Sequence, residues 1–156
     1  MMGARGEIYV VIQGALFALV LFGPKSIAAI PAWPVGATVF FSGLGLLLIM
    51  AGLIVSVLAA WNLGRSLTPL PYPKADAALV TTGLFRYVRH PIYCGVIFLA
   101  LGWSIYTQGT LTVCYAFVLA VFLDIKSRQE EIWLCQKFAD YPQYQKTTRK
   151  LIPGIY

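Results

Sequence analysis

Hydrophobic positions in this chain form long uninterrupted runs, unlike the periodic patterns of soluble helices and strands. Asp, Glu, Lys and Arg are absent from three stretches, 8–24, 26–64 and 91–123, which are 17, 39 and 33 residues long. A helix that crosses a bilayer needs about 20 mainly apolar residues. Each stretch can therefore hold at least one span, and the pattern predicts an all-α integral membrane protein.

Proline and turn residues divide these stretches into four predicted transmembrane helices. Pro24, Pro31 and Pro34 separate the first two helices, because proline interrupts helical hydrogen bonding. The third stretch would cover about 50 Å as one helix, and its only polar, turn-like break is 107–110. We predict a single domain with helices at 8–22, 35–61, 92–108 and 109–126, a proline-rich cytoplasmic loop at 62–91, and a cytoplasmic tail with a C-terminal helix at 127–156.

The first apolar run has an alternative reading as a secretory signal, with Arg5 as its basic flank. No clear small-x-small cleavage site follows Phe22 before the next apolar stretch. We therefore expect a retained first helix, and we expect the last two helices to form a tight transmembrane hairpin.

Basic residues predict how the chain is oriented. With four spans, Arg5, the 62–91 loop and the tail share one side and hold eleven of the twelve Lys and Arg residues, whereas Lys25 lies on the other. Loops rich in Lys and Arg stay cytoplasmic, so both termini are predicted to be cytoplasmic. The net charge of +6 would then face anionic lipid headgroups rather than nucleic acid.

The cysteines do not predict a disulfide framework or a metal site. Cys94, Cys114 and Cys135 form no C-x-x-C pair, and the chain has only one histidine. Zinc sites normally combine several cysteine or histidine ligands at short spacings. We therefore expect no metal.

Two polar segments flank the predicted hairpin on its cytoplasmic side. In the first, Pro91 suits the first position of a helix, so His90 lies where free backbone N–H groups favour an anion such as a carboxylate. Tyr93 adds a hydroxyl within the first turn. The alternative is structural: His90 caps the helix and Tyr93 anchors it at the membrane interface.

The second segment, 126–131, leaves the fourth helix. Glu130 and Glu131 point about 100° apart on a helix, so they cannot act as one paired-carboxylate site. The alternative is a solvated amphipathic helix with ion pairs. A hairpin would make the two segments neighbours around one apolar pocket. A zwitterionic amino-acid group attached to a cationic sulfonium is compatible with such surroundings.

The combination of these motifs resembles the isoprenylcysteine carboxyl methyltransferase and phospholipid methyltransferase family of integral membrane enzymes. The likeness covers about 62–156, some 60% of the chain. It rests on Leu79-Val80, Gly83 and Phe85, Arg89-His90-Pro91-Ile92-Tyr93 with Gly95, Glu130-Glu131, Phe138 with Tyr141 and Tyr144, and the late Ile152-Pro153.

The resemblance implies that S-adenosylmethionine binds in a cytoplasmic pocket. The motif positions assign cofactor binding to Leu79, Val80, Phe85, His90, Pro91, Ile92, Tyr93 and Glu131. They assign catalytic roles to Glu130, Glu131 and a basic residue, for which we predict Arg128, with Lys126 as the alternative. Phe85 replaces a tyrosine common in the family, and Ala77 replaces a histidine of eukaryotic prenylcysteine enzymes, and both departures weaken any transfer of substrate specificity.

The resemblance predicts in-line methyl transfer to a carboxylate or amine on a membrane-embedded or lipophilic substrate, in a bacterial or archaeal inner membrane. A carboxylate needs only an orienting cation, whereas an amine needs a base, for which His90, Glu130 and Glu131 are the candidates. One alternative is an NADPH-dependent membrane reductase of the steroid or sterol type. Another is a non-enzymatic lipid-binding membrane subunit. The acceptor and the oligomeric state stay open.

Overall fold

The computed structural model describes residues 6–28, 33–34 and 37–156. Within these ranges the regular structure is helical, which confirms the predicted all-α class. Single 3-10 turns lie at Gly64–Ser66 and Gly83–Arg86. The α-helices are α1 (Glu7–Phe22), α2 (Thr38–Leu63), α3 (Pro91–Tyr106), α4 (Thr110–Lys137) and α5 (Tyr141–Thr147).

Two of these helices, α2 and α4, are long and apolar enough to cross a membrane by length and composition. The helices α1 and α3 are also apolar but have only 16 residues each. Helix α1 keeps the predicted bounds within one residue, whereas α2 ends two residues later than predicted, and its predicted start at 35 lies outside the described residues.

A sharp turn separates α3 from α4 at the predicted place. Helix α3 ends at Tyr106, two residues before the predicted end, and α4 begins at Thr110. Gln108 has a left-handed backbone with φ of 51°, and it is the non-glycine residue with this conformation in the described part of the chain. The two helices pack side by side, so their outer ends, Pro91 and Lys137, lie at the same end of the bundle.

We predicted that the fourth helix ends at 126, but it continues to Lys137. Glycine and proline are absent between 110 and 141, so nothing in the sequence interrupts the helix. Its 28 residues extend about 42 Å, well beyond an apolar bilayer core of about 30 Å. The predicted tail helix is therefore largely the polar end of α4, and α5 adds only seven residues.

Glycines bring α2 and α3 into close contact. Gly52 and Gly95 face one another, and a methyl group on Gly52 would lie 2.6 Å from the Gly95 carbonyl oxygen. About two helical turns away, a methyl group on Gly45 would lie 2.8 Å from the Gly102 carbonyl oxygen. Small residues allow such backbone approach in lipid, where van der Waals packing drives helix association. Gly43, in contrast, faces open space.

The other side of α3 packs with α4 and α1 around an apolar core. Leu119 and Leu123 on α4 are fully buried, together with Ala116, and Val20 of α1 packs into the same cluster. This packing fixes the rotation of α4 about its own axis, and therefore the direction in which its polar end presents each side chain.

We predict that Gly52→Ala destabilises the fold by about 1–3 kcal/mol, the usual range for overpacking a tight interface. The methyl group would meet backbone atoms of Gly95 and Leu99, which cannot move away as a flexible side chain could. Thermal unfolding in detergent measures the change. Gly43→Ala is the matched control on the same helix, and it should leave stability unchanged or slightly higher. Equal losses in the two variants would contradict this account of the interface.

Candidate active site

The entrance to α3 is held in place by the C-terminal segment. The backbone N–H of Arg89 donates to the Arg149 carbonyl at 2.8 Å, and that of His90 donates to the Lys150 carbonyl at 3.0 Å. Pro91 then begins the helix, as predicted. The His90 side chain makes no capping hydrogen bond to the helix, so its position is set by other partners.

The hairpin brings the α3 entrance and the two glutamates together. His90 Nε2 lies 3.1 Å from Glu131 Oε1, and the Tyr93 hydroxyl donates to Glu130 Oε2 at 2.7 Å. The rings of His90 and Tyr93 stack with centroids 5.4 Å apart. The nearest partners of the two carboxylates thus differ, as expected for adjacent residues on a helix, although His90 Nδ1 also lies 3.8 Å from Glu130 Oε2.

Glu131 is the centre of a hydrogen-bond network that joins three parts of the chain. It accepts from Arg89 Nε at 2.7 Å through Oε1 and from Gln145 Nε2 at 3.0 Å through Oε2. The Arg89 guanidinium also donates to the Gln145 carbonyl at 3.2 Å and to the Thr148 carbonyl. Glu131 is therefore fully engaged by protein groups, and its carboxylate holds the α3 entrance, α4 and α5 together.

A cavity of about 350 Å³ lies beside this network. Its wall is mostly apolar, with a few polar groups that include Lys126 and Glu130. Among the described residues, Glu131 does not line the cavity, but it contacts His90, which does. Seven of the eight residues that the sequence assigned to the cofactor do line it: Leu79, Val80, Phe85, His90, Pro91, Ile92 and Tyr93.

Lys126 is the basic residue of α4 that borders the cavity. Its side chain is only 2% exposed. The ammonium donates to Gln13 Oε1 at 2.6 Å and to the Pro69 carbonyl at 3.3 Å, and it lies 5.4 Å from the centroid of the Tyr93 ring. A buried cation is costly unless polar groups surround it. These contacts supply such groups and aim the charge at the cavity.

The structure does not bring Arg128, which we predicted as the basic site residue, to the cavity. Its side chain is 67% exposed and pairs with Asp124 Oδ2 at 2.9 Å. Two residues correspond to about 200° around a helix, so Arg128 and Lys126 face nearly opposite ways. We therefore replace Arg128 by Lys126 in the candidate site.

Two tyrosines from α5 complete the wall. The Tyr144 hydroxyl donates to the Phe85 carbonyl, and burial raises the pKa of Tyr144 to about 12, so it stays protonated at physiological pH. The Tyr141 ring packs edge-on against the Tyr144 ring with centroids 5.7 Å apart. Both residues belong to the motif that carried the resemblance, but the sequence did not assign them to the site.

The contribution of α1 to the site was also not predicted from the sequence. Gln13 of α1 lines the cavity and accepts the hydrogen bond from Lys126. It is the single amide in an otherwise apolar, uncharged helix segment, 8–22. Polar side chains inside membrane helices usually face the protein interior and mark functional positions. That signal was present in the sequence and could have identified Gln13.

Comparison with known families agrees with this geometry. A sequence model described as phospholipid methyltransferase matches residues 40–141, more than half of the chain. The chain belongs to the phospholipid methyltransferase family. The resemblance that the motifs indicated is thereby confirmed.

Several curated relatives are methyltransferases by name. The chain is 32% identical to protein-S-isoprenylcysteine O-methyltransferase of Saccharomyces cerevisiae over 123 residues, which are 76% of this chain and 52% of that protein. It is 29% identical to methanethiol S-methyltransferase of Pseudomonas deceptionensis over 120 residues, 76% of this chain and 45% of that protein. The chain thus spans about half the length of these relatives.

The fold is also similar to a solved structure. This is the eukaryotic intramembrane Ras methyltransferase, isoprenylcysteine carboxyl methyltransferase, with a TM-score of 0.69 and 24% identity. The alignment covers 96% of this chain and 52% of that one. The four apolar helices and the hairpin therefore reproduce, nearly in full, part of a known membrane fold.

We predict that the adjacent glutamates differ in their effect on stability. Glu131→Gln should lower the free energy of unfolding by about 2 kcal/mol, because Arg89 loses a charged hydrogen-bond partner. Glu130→Gln is the matched control: its amide oxygen can still accept from the Tyr93 hydroxyl, so the loss should stay below about 1 kcal/mol. Thermal unfolding of both variants in detergent makes the comparison, and the reverse order would contradict the structural role of Glu131.

Proposed function

We propose that this protein is an S-adenosylmethionine-dependent methyltransferase that acts on a lipophilic acceptor at the cytoplasmic membrane face. The observation that carries this proposal is the cavity itself. There the seven cofactor-motif residues meet Lys126 and Glu130 in one apolar chamber. Family membership and relatives that are named as O- and S-methyltransferases support the same chemistry.

The residues of the cavity fit the cofactor. Its volume of about 350 Å³ lies within the range of small-molecule sites, about 300–1,000 Å³. Leu79, Val80 and Phe85 offer an apolar surface for the adenosine part. The Glu130 carboxylate suits a cationic group of the cofactor. When bound, S-adenosylmethionine supplies a methyl group on an electron-poor sulfonium sulfur.

The protein groups mainly bind, orient and exclude water, since the methyl donor needs no further activation. Tyr93 holds the Glu130 carboxylate through its hydroxyl. Gln13 and the Pro69 carbonyl hold the Lys126 ammonium. A carboxylate or thiolate acceptor would be attracted by this cation and would need no base. With the methyl donor bound, these residues would hold donor and acceptor together, and the donor would supply the methyl group while its sulfur kept the electrons of the sulfur–methyl bond.

We further propose that α1 to α4 all cross the membrane, with both termini and the cavity on the cytoplasmic side. Helices α1 and α3 have 16 residues each, about 24 Å, and a short span can be accommodated by local thinning of the bilayer. The polar end of α4 then emerges into the cytoplasm and carries Glu130 and Glu131 to the level of the 62–91 loop.

The test compares two neighbouring basic residues in purified protein in lipid nanodiscs. Lys126→Met should lower kcat/KM for methyl transfer about 100-fold, because an orienting charge at the reacting groups is lost. Arg128→Met should stay within a few-fold of the unchanged protein, since its side chain faces water. Product formation is followed with methyl-labelled S-adenosylmethionine and three acceptors: a prenylated cysteine with a free carboxylate, an alkanethiol, and a total membrane lipid extract.

Two results would contradict the proposal. Binding of NADPH, with no binding of S-adenosylmethionine in a parallel titration, would favour a reductase. Binding of S-adenosylmethionine without formation of labelled product from any of the three acceptor classes would favour a role other than methyl transfer. Loss of activity in Arg128→Met with full activity in Lys126→Met would retain the function but reject the assignment of the basic residue.

A further inference from the structure

The Tyr141 side chain lines the cavity and carries a buried, unpaired hydroxyl. Tyr141 is 2% exposed and lines the cavity, yet its hydroxyl has no hydrogen-bond partner among the described residues. The neighbouring polar groups are paired: Tyr93 donates to Glu130, Tyr144 donates to the Phe85 carbonyl, and Lys126 donates to Gln13.

A buried hydroxyl without a partner lowers stability, because it has lost its hydrogen bonds with water. Phenylalanine would fill the same space without this cost. Packing of the ring against Tyr144 does not explain the hydroxyl. An unsatisfied polar group beside a cavity has an explanation if a molecule that enters the cavity pairs with it.

We propose that the Tyr141 hydroxyl forms a hydrogen bond with bound S-adenosylmethionine. The inference rests on the proposed function and adds a binding group that the motifs did not assign. The cofactor is favoured over the methyl acceptor by position. Tyr141 packs on Tyr144, and Tyr144 is bonded to the Phe85 carbonyl. Tyr141 therefore belongs to the wall formed by Phe85, one of the residues that match the cofactor motif.

The hydroxyl is available in its neutral form at physiological pH. Burial raises the pKa of Tyr141 well above its ordinary value, and the nearby Glu131 carboxylate raises it further. A neutral tyrosine hydroxyl donates one hydrogen bond and accepts others. It can therefore pair with a hydroxyl, an amine or a ring nitrogen, which are the polar groups of an adenosine.

The test is Tyr141→Phe, with the affinity for S-adenosylhomocysteine measured by calorimetry in nanodiscs. The reaction product is used because it binds without reacting. We expect the affinity to fall roughly 3- to 10-fold, as for one lost hydrogen bond. The melting temperature of the ligand-free variant should be unchanged or higher, because the variant removes an unpaired polar group.

Two tyrosine variants serve as controls. Tyr144→Phe removes a hydroxyl that is bonded to the Phe85 carbonyl, so its ligand-free melting temperature should fall. Tyr87→Phe removes a hydroxyl from a side chain that is 62% exposed and does not line the cavity, so neither stability nor affinity should change.

The outcomes separate this inference from the proposed function. If the unchanged protein binds the ligand and Tyr141→Phe binds it equally well, the Tyr141 assignment is wrong while the proposed function stands. A fall in the ligand-free melting temperature of Tyr141→Phe, similar to that of Tyr144→Phe, would show a structural role and would also reject the assignment. Absence of binding by the unchanged protein would overturn both proposals.

Discussion

The contact between the α3 entrance and the polar end of α4 depends on the phase of the two helices, that is, on how each is rotated about its own axis. The turn that joins them lies at the opposite end of α3 from this contact. Helix α3 has 16 residues, so the turn at Gln108 lies about 24 Å from His90. A one-residue shift in α4 would rotate its side chains by about 100°. Tyr93 would then lose Glu130, and His90 would lose Glu131. The left-handed backbone at Gln108 and the buried leucines of α4 set this phase.

The helices around the hairpin keep it in place and contribute to its chemistry. The facing glycines hold α3 against α2, while α1 packs on α4 and supplies Gln13 to Lys126. Helix α1 is thus part of the candidate site as well as of the helix bundle. The C-terminal segment closes the arrangement from the other side, because its backbone pairs with Arg89 and His90.

Much of this arrangement could be predicted from the sequence because it depends on local composition. Charge-free runs indicated the helices, a polar break in the longest run indicated the turn, and Pro91 marked the start of α3. The proximity of His90 to the glutamates followed from the hairpin alone.

The rotation of α4 could not be predicted from the sequence, because it depends on packing with α1 and α3. For this reason Arg128 and Lys126 could not be distinguished, and the structural role of Glu131 was not anticipated. The length of α4 was underestimated because apolar character ends near 126 although helix-forming residues continue to 137.

The central claim is that the cavity between the α3 entrance, α4 and α5 holds the methyl donor. Ultraviolet cross-linking of labelled S-adenosylmethionine to the protein in nanodiscs, followed by mass spectrometry of the peptides, tests this claim most directly. We expect adducts in 85–93 and 138–144, and these should disappear when unlabelled S-adenosylhomocysteine is in excess. Competable adducts confined to segments that do not line the cavity, such as 107–115, would contradict it.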